Sequence, residues 1–411
     1  TLPRYYLATN QSIINLYSIE IFLLSHRFAK VADMYIVLLG EELARYKNID
    51  LYITLSSSLL WKEFGDAANN YILKNHENVH IDLVDAPEGD IKEVAGKIFD
   101  KFYDYFKEHK FDAVILIADR FETLPCAQAA VFLNTPIIHI QGGEISGNVD
   151  DKVRHSLTMM ADYHFCSTEL SKEYLLCMGQ ERNTIWNTGC PSLDLIKKNL
   201  IKRYLAKDKY IMCIFHPETE NQDEAFKQTE TLITAVIEYC AQMGQHCIWY
   251  MPNNDPGREN IVAMLNTVCK TERDLISKAI NEEPEEFLKR LSGARLIIGN
   301  SSCGIRESSF LGVPSVNLGV RQRARERSIN VLDCGYDKPE ILQSLYNQNE
   351  VLTYKRSYLY GMGNASHQIA YKISGTDFKA KGILTYPRSE EFKGRHFGED
   401  RFKAHRQRAS G

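Results

Sequence analysis

From residue 49 onward, apolar and polar side chains follow two alternating patterns along the chain. Residues 49–55 and 79–83 carry an aliphatic side chain at every second position, which predicts half-buried β-strands. Residues 111–118 and 136–140 are mostly apolar and predict strands buried on both faces. Between them, residues 91–106 carry aliphatic and aromatic side chains at helical spacing. Strands that alternate with helices at these lengths indicate βαβ units and a parallel sheet.

The same alternation begins again after residue 188. Strands are predicted over 210–215 and 247–251, and helices over 225–243 and 285–291. Two doubly wound halves are the economical arrangement, and such folds bind their ligand at the carboxyl ends of the strands. The pattern therefore predicts an α/β protein with two Rossmann-like doubly wound domains and an active site in the cleft between them.

Two parts of the chain follow the pattern less regularly. The first thirty residues show only a candidate strand over 5–9 and an apolar run over 13–24 without a clean period. A helix is predicted over 122–134, and we expect Pro125 to break it early because proline removes a backbone donor. The tail after residue 375 mixes basic and aromatic side chains, and we expect it to be a surface arm.

The stretch 294–319 has the pattern of a phosphate-binding strand–turn–helix unit. A short apolar run ends at Gly299, and residues 300–302 are of types that cap helices. A single helix is predicted over 303–311. The unpaired N–H groups and the positive end of such a helix suit a phosphate, and Glu307 would accept hydrogen bonds from a ribose. A capped helix of any α/β protein is an equally weighted alternative.

Composition narrows the function classes. The 411 residues, with 44% hydrophobic and 25% charged side chains, are ordinary for a soluble protein of two or three domains. A net charge of −4 gives no reason to expect nucleic acid as a partner. The ten cysteines form no C-x-x-C pair, which fits free thiols in a reducing compartment. Neither a signal peptide nor a membrane span is visible, so we predict a cytoplasmic protein.

Polar side chains collect where the predicted strands of the first half end. Asp119 follows the strand over 111–118, although a helix cap explains this residue alone better than a site does. Paired glycines precede Glu144 and would let the backbone approach a ligand closely. Asp150 either belongs to a site or favours a helix N-terminus and pairs with Arg154 four residues later.

Further polar side chains follow the strands of the second half. His216 ends a strand and is as consistent with a structural role as with a catalytic one. Asn253 lies in a run that is by itself a turn. Arg321 begins a charged run that is either a solvated face or part of a nucleotide site. None of these residues is specific alone.

In this order and at these strand ends, the motifs resemble the UDP-N-acetylglucosamine 2-epimerase family over about residues 49–374. They are most similar to its hydrolysing branch, which releases N-acetylmannosamine and UDP in sialic-acid-type pathways. The motifs that carry the resemblance are D-R-F-E at 119–122, G-G-E-I-S-G-N-V-D-D-K-V-R-H at 142–155, G-N-S-S-C-G-I-R-E at 299–307, G-V-P-S-V-N-L-G-V-R-Q at 312–322 and Y-G-M-G-N-A at 360–365.

The resemblance implies a fold and a set of roles. It implies a GT-B arrangement of two domains, residues 1–188 completed by 366–411 and residues 189–365, in a homodimer or a dimer-based homo-oligomer. It implies no metal, no cofactor and no membrane partner. The positions that match UDP-binding residues of the family are Arg120, Asn253, Ser301, Ser302, Glu307 and Arg321. The positions that match catalytic residues are Asp119, Asp150 and His216.

The implied reaction is elimination of UDP followed by hydration of a 2-acetamidoglucal, which needs a base, an acid and stabilisation of the leaving diphosphate. The chain departs from the family at Gln141, where a carboxylate is usual. A neutral amide cannot act as a general base, so that role is absent or has moved, with Glu144 as a candidate. The family's N-terminal R-A-D/E-Y motif is also absent, apart from an echo at 32–35.

Three hypotheses remain open on the sequence. The leading one is a hydrolysing 2-epimerase acting on UDP-N-acetylglucosamine or a related UDP-acetamido sugar. The second, motivated by Gln141 and the altered N-terminus, is a catalytically altered homologue that binds a nucleotide sugar without turnover. The third is a GT-B glycosyltransferase, which the fold permits although no acceptor surface is evident.

Overall fold

Two parallel sheets, one built from each half of the chain, form the frame of the protein. The computed structural model describes residues 19–26, 30–56, 76–84, 91–119, 121–206, 209–218, 224–252, 257–279 and 282–380. The first sheet contains β1 (Ile19–His26), β2 (Ile49–Ser56), β3 (Val79–Val84), β4 (Ala113–Ile117), β5 (Ile137–Ile140), β6 (Tyr163–Cys166) and β7 (Ile185–Asn187). The second contains β8 (Tyr210–Ile214), β9 (His246–Tyr250), β10 (Ile276–Ala279), β11 (Ile297–Gly299), β12 (Ser315–Leu318) and β13 (Val331–Cys334).

Helices connect these parallel strands. Those of the first half are α1 (Lys30–Leu43), α2 (Ile91–Glu108), α3 (Thr123–Phe132), α4 (Asp150–Met160), α5 (Glu169–Cys177) and α6 (Ser192–Lys198). Those that follow are α7 (Ala225–Met243), α8 (Arg258–Thr271), α9 (Pro284–Gly293), α10 (Glu307–Leu311), α11 (Lys338–Glu350) and α12 (Ala365–Ser374). β4, which is fully apolar, and β5, which is apolar except for His139, are buried at every residue.

The strand orders place the switch points of both sheets. The first sheet runs β3-β2-β1-β4-β5-β6-β7 and the second runs β10-β9-β8-β11-β12-β13. The direction of winding therefore reverses between β1 and β4 and between β8 and β11, and ligands of such sheets bind outside the carboxyl ends of strands at that point. The predicted α/β fold of two Rossmann-like doubly wound sheets is confirmed.

The two halves touch where the chain crosses between them. The backbone N–H of Cys190 donates to the carbonyl oxygen of Tyr360 at 2.7 Å. Gly189 and Gly361 have φ of 85° and 109°, and a Cβ on Gly189 would lie 2.8 Å from the Cα of Gly361. Glycine is required at this crossing because only it combines positive φ with such a close backbone approach.

The last described helix, α12, packs against the first half. It contacts α1, and both carboxylate oxygens of Asp194 accept its first free backbone donors, from Ala365 at 2.9 Å and Ser366 at 2.7 Å. The side-chain amide of Asn48 donates to the carbonyl oxygen of Ser374 at 3.3 Å. The contacts with α1 and Asn48 agree with the predicted domain division, in which 366–411 completes 1–188, whereas Asp194 lies in the part 189–365; the division stays a proposal.

Three local predictions require correction. Strand β1 was not predicted, because its run of mostly apolar residues has no period of two. The strand predicted over 5–9 lies outside the described residues. Pro125 does not break α3, because it lies in the first turn, where its missing N–H has no intrahelical partner in any case.

The third correction concerns the helix predicted over 303–311. It is a 3₁₀ turn, Ser302–Gly304, followed by the five-residue α10. Ser308 Oγ donates to the carbonyl of Gly304 at 2.6 Å, and Ser309 Oγ donates to that of Ile305. Serine hydroxyls that bond four residues back compete with backbone donors, and Gly304 adds flexibility, so a regular helix does not form.

Candidate active site

Two strained residues mark the carboxyl ends of β4 and β5. Ala118 and Gln141 have φ of 64° and 67°, a region that residues other than glycine rarely adopt. The N–H of Ala118 donates to the carbonyl oxygen of Ile140 at 3.0 Å, and that of Gln141 to the carbonyl oxygen of Phe165 at 2.8 Å. The sheet therefore fixes the backbone at both positions, and it aims the residues that follow.

A buried histidine supports this edge. His139 Nε2 donates to the carbonyl oxygen of Ala118 at 2.9 Å, and its Nδ1 lies 3.2 Å from Thr158 Oγ1. Burial lowers the pKa of His139 to about 4, so the ring is neutral near pH 7. Because the carbonyl can only accept, the proton lies on Nε2 and Nδ1 accepts from Thr158. His139 therefore positions the backbone that carries Asp119.

Asp119 is held by a buried guanidinium. Arg154 pairs with the carboxylates of Asp119 and Asp151, and it also donates to the carbonyl oxygen of Glu144 at 3.0 Å. Asp151 in turn accepts from the N–H groups of Ser146 and Gly147. Asp119 is thus not the N-cap of α3, a position that Glu122 takes.

Asp150, the first residue of α4, lies apart from this guanidinium. Its N–H donates to Asn148 Oδ1 and its carboxylate accepts from Asn148 Nδ2, both at 3.1 Å. The alternative in which Asp150 pairs with Arg154 is therefore wrong, because Arg154 is turned towards Asp151 and Asp119. Asp150 stays half-buried beside the loop that carries the other candidate residues.

A row of side chains connects the two halves beneath the cleft. Gln141 Nε2 donates to Cys190 Sγ at 3.2 Å, and that sulfur lies 3.2 Å from Ser192 Oγ. Burial raises the pKa of Glu307, opposed by a hydrogen bond from Ser192 and by the charge of Arg306. Gln141 and Glu307, which the sequence assigns to opposite sides of the cleft, are therefore only two side chains apart.

Glu144 crosses the cleft directly. Its carboxylate pairs with Arg306, next to Glu307, and with Arg325, four residues after Arg321. Burial opposes ionisation, but Arg306 and Arg325 outweigh it and lower the pKa of Glu144 below its usual range. Glu144 is therefore a carboxylate at neutral pH.

The second half supplies His216. Its backbone N–H and its carbonyl oxygen both form hydrogen bonds with the side-chain amide of Asn300. The neighbouring loop is anchored by Glu218, whose Oε1 accepts from the N–H groups of Val320 at 2.9 Å and Arg321 at 3.2 Å. His216 and Arg321 are thereby brought to the same edge of the second sheet, at the ends of β8 and β12.

Of the remaining residues predicted to bind the nucleotide, some lie within the described ranges and others do not. Ser301 and Ser302 follow β11 and are half-buried; Ser301 Oγ accepts from Cys303 Sγ at 3.3 Å. Burial raises the pKa of the Cys303 thiol to about 12, so it stays protonated. Arg120 and Asn253 lie outside the described residues, as do the side chains of the 32–35 echo.

Several residues that hold the site together were not predicted from the sequence. They are Arg154, Glu218, Asn300, Arg306, Gln322 and Arg325. Two of these arginines carried a usable signal, since Arg306 lies inside the motif at 299–307 and Arg325 lies in the charged run that Arg321 begins. A guanidinium that becomes buried requires a carboxylate partner. The sequence around an arginine does not indicate which carboxylate its guanidinium will contact.

Two kinds of feature are absent from the described ranges: a cluster of metal ligands and a helix able to span a membrane. No group of three or more His, Cys, Asp or Glu side chains there has the arrangement of a metal site. Among the helices of the same ranges, none is both long and apolar enough to cross a membrane.

Comparison with known proteins gives consistent matches. Residues 41–374 match the family model described as UDP-N-acetylglucosamine 2-epimerase. The chain is 32% identical over 340 residues to the UDP-N,N'-diacetylbacillosamine 2-epimerase (hydrolyzing) of Legionella pneumophila, covering 80% of this chain and 89% of the relative. It is 27% identical to a UDP-N-acetylglucosamine 2-epimerase of Neisseria meningitidis, covering 73% and 80%.

The fold has a match among solved structures as well. The crystal structure of Methanocaldococcus jannaschii UDP-GlcNAc 2-epimerase, in complex with UDP-GlcNAc and UDP, superposes with a TM-score of 0.71. The match covers 87% of this chain and 100% of that one, at 18% sequence identity. At this identity the likeness concerns the fold.

Proposed function

Since the chain belongs to the UDP-N-acetylglucosamine 2-epimerase family, we propose that it is the hydrolysing kind of 2-epimerase. The substrate is UDP-N-acetylglucosamine or a related UDP-acetamido sugar, and the products are an N-acetylmannosamine-type sugar and UDP. The hydrolysing activity in the name of the Legionella relative supports this choice. The carrying observation is that a series of contacts through Glu144 links the carboxylate of Asp119 to the backbone of His216, which belongs to the other sheet.

Binding is assigned mainly to the second half of the chain, with Arg120 contributed by the first. Ser301 and Ser302 hold the diphosphate together with Arg321, Glu307 accepts from the ribose hydroxyls, and Arg120 and Asn253 complete the nucleotide contacts. Burial of Glu307 favours this role, because a desolvated carboxyl group gains most from hydrogen-bond donors that a ligand brings.

The chemistry is assigned to Asp119, Asp150 and His216. A base takes the proton from C2 of the sugar while the C1–O bond breaks and UDP leaves with the electron pair. Water then adds to the resulting 2-acetamidoglucal, giving hydroxyl to C1 and a proton to C2 on the opposite face. Gln141 donates a hydrogen bond and exchanges no proton, so at most it orients the acetamido group or Cys190.

Proton NMR of the protein with UDP-N-acetylglucosamine in heavy water tests this proposal. We expect free N-acetylmannosamine with deuterium at C2, and UDP in equal amount. The same experiment with UDP-N,N'-diacetylbacillosamine decides between the two sugars. Failure to release UDP from any UDP-acetamido sugar would contradict the proposed activity.

A second candidate is a homologue that binds the nucleotide sugar without turnover. It is favoured by one observation, that Gln141 is buried, strained and bonded to Cys190 where a base is expected. Under this candidate the wild type binds UDP and releases none, while Gln141→Glu gains activity. Under the leading proposal the wild type is active without that change.

The oligomeric state and the cellular compartment are part of the same proposal. We expect a homodimer or a dimer-based homo-oligomer in the cytoplasm, supplying N-acetylmannosamine-type sugars to sialic-acid-type synthesis. Light scattering of the purified protein measures the assembly, and a monomer at micromolar concentration would contradict it.

A further inference from the structure

Three buried guanidinium groups converge on one residue, Glu144. Arg306 and Arg325 pair with its carboxylate, and Arg154 donates to its backbone carbonyl oxygen at 3.0 Å. All four residues are at most 8% exposed. The guanidiniums come from three separate parts of the chain: α4, the turn before α10 and the loop after β12. Glu144 therefore connects the two halves of the chain.

In the first half, the contacts of Glu144 extend to Asp119. Arg154, which holds the backbone of Glu144, also pairs with the Asp119 carboxylate. Any displacement of the backbone at Glu144 therefore moves the guanidinium that orients Asp119.

In the second half, the contacts of Glu144 extend to His216. Arg325 Nε donates to Gln322 Oε1 at 2.8 Å, and Gln322 Nε2 donates to the carbonyl oxygen of Asn300 at 3.2 Å. Asn300 then holds the backbone of His216. Hydrogen bonds, joined through the covalent frames of Asn300 and Glu144, thus connect the backbone of His216 with the carboxylate of Asp119.

The loop that carries Glu144 and the loop after β12 are also in direct contact. The N–H of Ala324 donates to the carbonyl oxygen of Ser146 at 3.1 Å. Gly147 has φ of 93°, and a Cβ there would collide with the side chain of Arg323. The loop that carries Glu144 and the loop that carries Arg321 are therefore packed against each other and joined by a hydrogen bond.

We propose that Glu144 is a positioning residue that fixes Asp119 and His216 relative to each other and makes this geometry depend on the nucleotide half. The inference rests on the proposed function, since it concerns the same site. A buried ion cluster adds little net stability compared with apolar packing, but it specifies one arrangement, which is what a site divided between two sheets requires.

The contacts of Glu144 argue against its acting as the general base. Two guanidiniums lower its pKa, and a weakly basic carboxylate is a poor proton acceptor from carbon. Arg325→Gln separates the two roles. For a positioning residue, the plateau of kcat falls and the acidic limb of its pH profile stays in place. For a base, the limb moves to higher pH, and that result would overturn the proposal.

Glu144→Asp is the principal variant, because it keeps the charge and shortens the reach by one methylene group. We expect kcat to fall by about 100-fold, the order that a misplacement near 1 Å produces, while the Kd for UDP changes less than about twofold. Glu238→Asp, on the surface and paired with Lys338, is the matched control and should leave both unchanged. Equal loss of UDP affinity and kcat in Glu144→Asp would contradict a positioning role.

A double variant excludes a merely structural role. Glu144→Gln leaves two buried guanidiniums without their carboxylate and should unfold more easily. Adding Arg325→Gln removes one of those charges, so the denaturation midpoint should recover in part while kcat stays as low as in the single variant. Recovery of kcat in step with stability would overturn the proposal.

Hydrogen exchange tests the coupling without catalysis. In the wild type, UDP should slow amide exchange in α4, although UDP binds the second half. In Glu144→Asp this protection should disappear while UDP still binds. If the wild type released no UDP from its sugars, the proposed function alone would fail; equal protection of α4 in both proteins would overturn the coupling.

Discussion

The side-chain amide of Asn300 hydrogen bonds to both backbone polar groups of His216. Asn300 Oδ1 accepts from the His216 N–H at 2.8 Å, and Asn300 Nδ2 donates to the His216 carbonyl oxygen at 2.8 Å. Asn300 is buried and directly precedes Ser301, so one side chain fixes a proposed catalytic residue beside a proposed diphosphate site.

Asn300→Asp breaks half of this arrangement. The new carboxylate cannot donate, so it faces the His216 carbonyl oxygen with like partial charge. We expect a loss of about 1–3 kcal/mol in unfolding free energy and a larger loss of kcat than of UDP affinity, measured by denaturation, turnover and calorimetry. Asn347→Asp, on the exposed face of α11, serves as control and should leave all three values unchanged.

Gly299→Ala should be among the most damaging single substitutions in the described chain. Gly299 has φ of 139°, and an added Cβ would collide with the carbonyl oxygen of Ile214 in the neighbouring strand. We expect a loss of at least about 2 kcal/mol, because both the strand pairing and the backbone angle oppose the methyl group.

Gly96→Ala is the matched control for that substitution. Gly96 lies in α2, and an added Cβ would meet no atom within 4 Å. The variant should be stabilised by about 0.5–1 kcal/mol, since alanine favours a helix more than glycine does. Thermal denaturation compares the two, and a Gly299→Ala protein as stable as Gly96→Ala would show that the strand contact is wrong.

Asp194→Ala should loosen α12 from α6. The substitution removes the acceptor of two buried N–H groups at the start of that helix. We expect a cost of about 1–3 kcal/mol and faster amide exchange in α12, measured by chemical denaturation and hydrogen exchange. Asp377→Ala, which changes an exposed carboxylate, should alter neither.

Stability should decrease as the pH falls from 6.5 towards 4, because of His139. Its folded pKa of about 4 lies below the unfolded value of 6.5, so only the unfolded state takes up the proton in this range. The loss is roughly 3 kcal/mol when complete, from the difference of the two pKa values. His139→Asn lacks the titrating group and should show a shallower dependence; equal slopes would mean that His139 is protonated in the folded protein.

Much of the frame could be predicted because its signals are local. Buried parallel strands are short apolar runs, and the polar residues that follow them must meet at one edge of the sheet. Asp119, His216 and Arg321 were found in this way. Local reasoning failed where several short-range preferences compete, as in the helix expected over 303–311, which serine hydroxyls divide in two.

The sequence by itself determined the family, the two-sheet α/β class and the strand ends at which the candidate residues lie. Only the tertiary structure decided which of these residues touch. Glu144 meets Arg306 and Arg325 at separations of 162 and 181 positions, and Asn300 meets His216 at a separation of 84. Such pairings depend on how strands and sheets pack against one another, and no local period in the sequence encodes that packing.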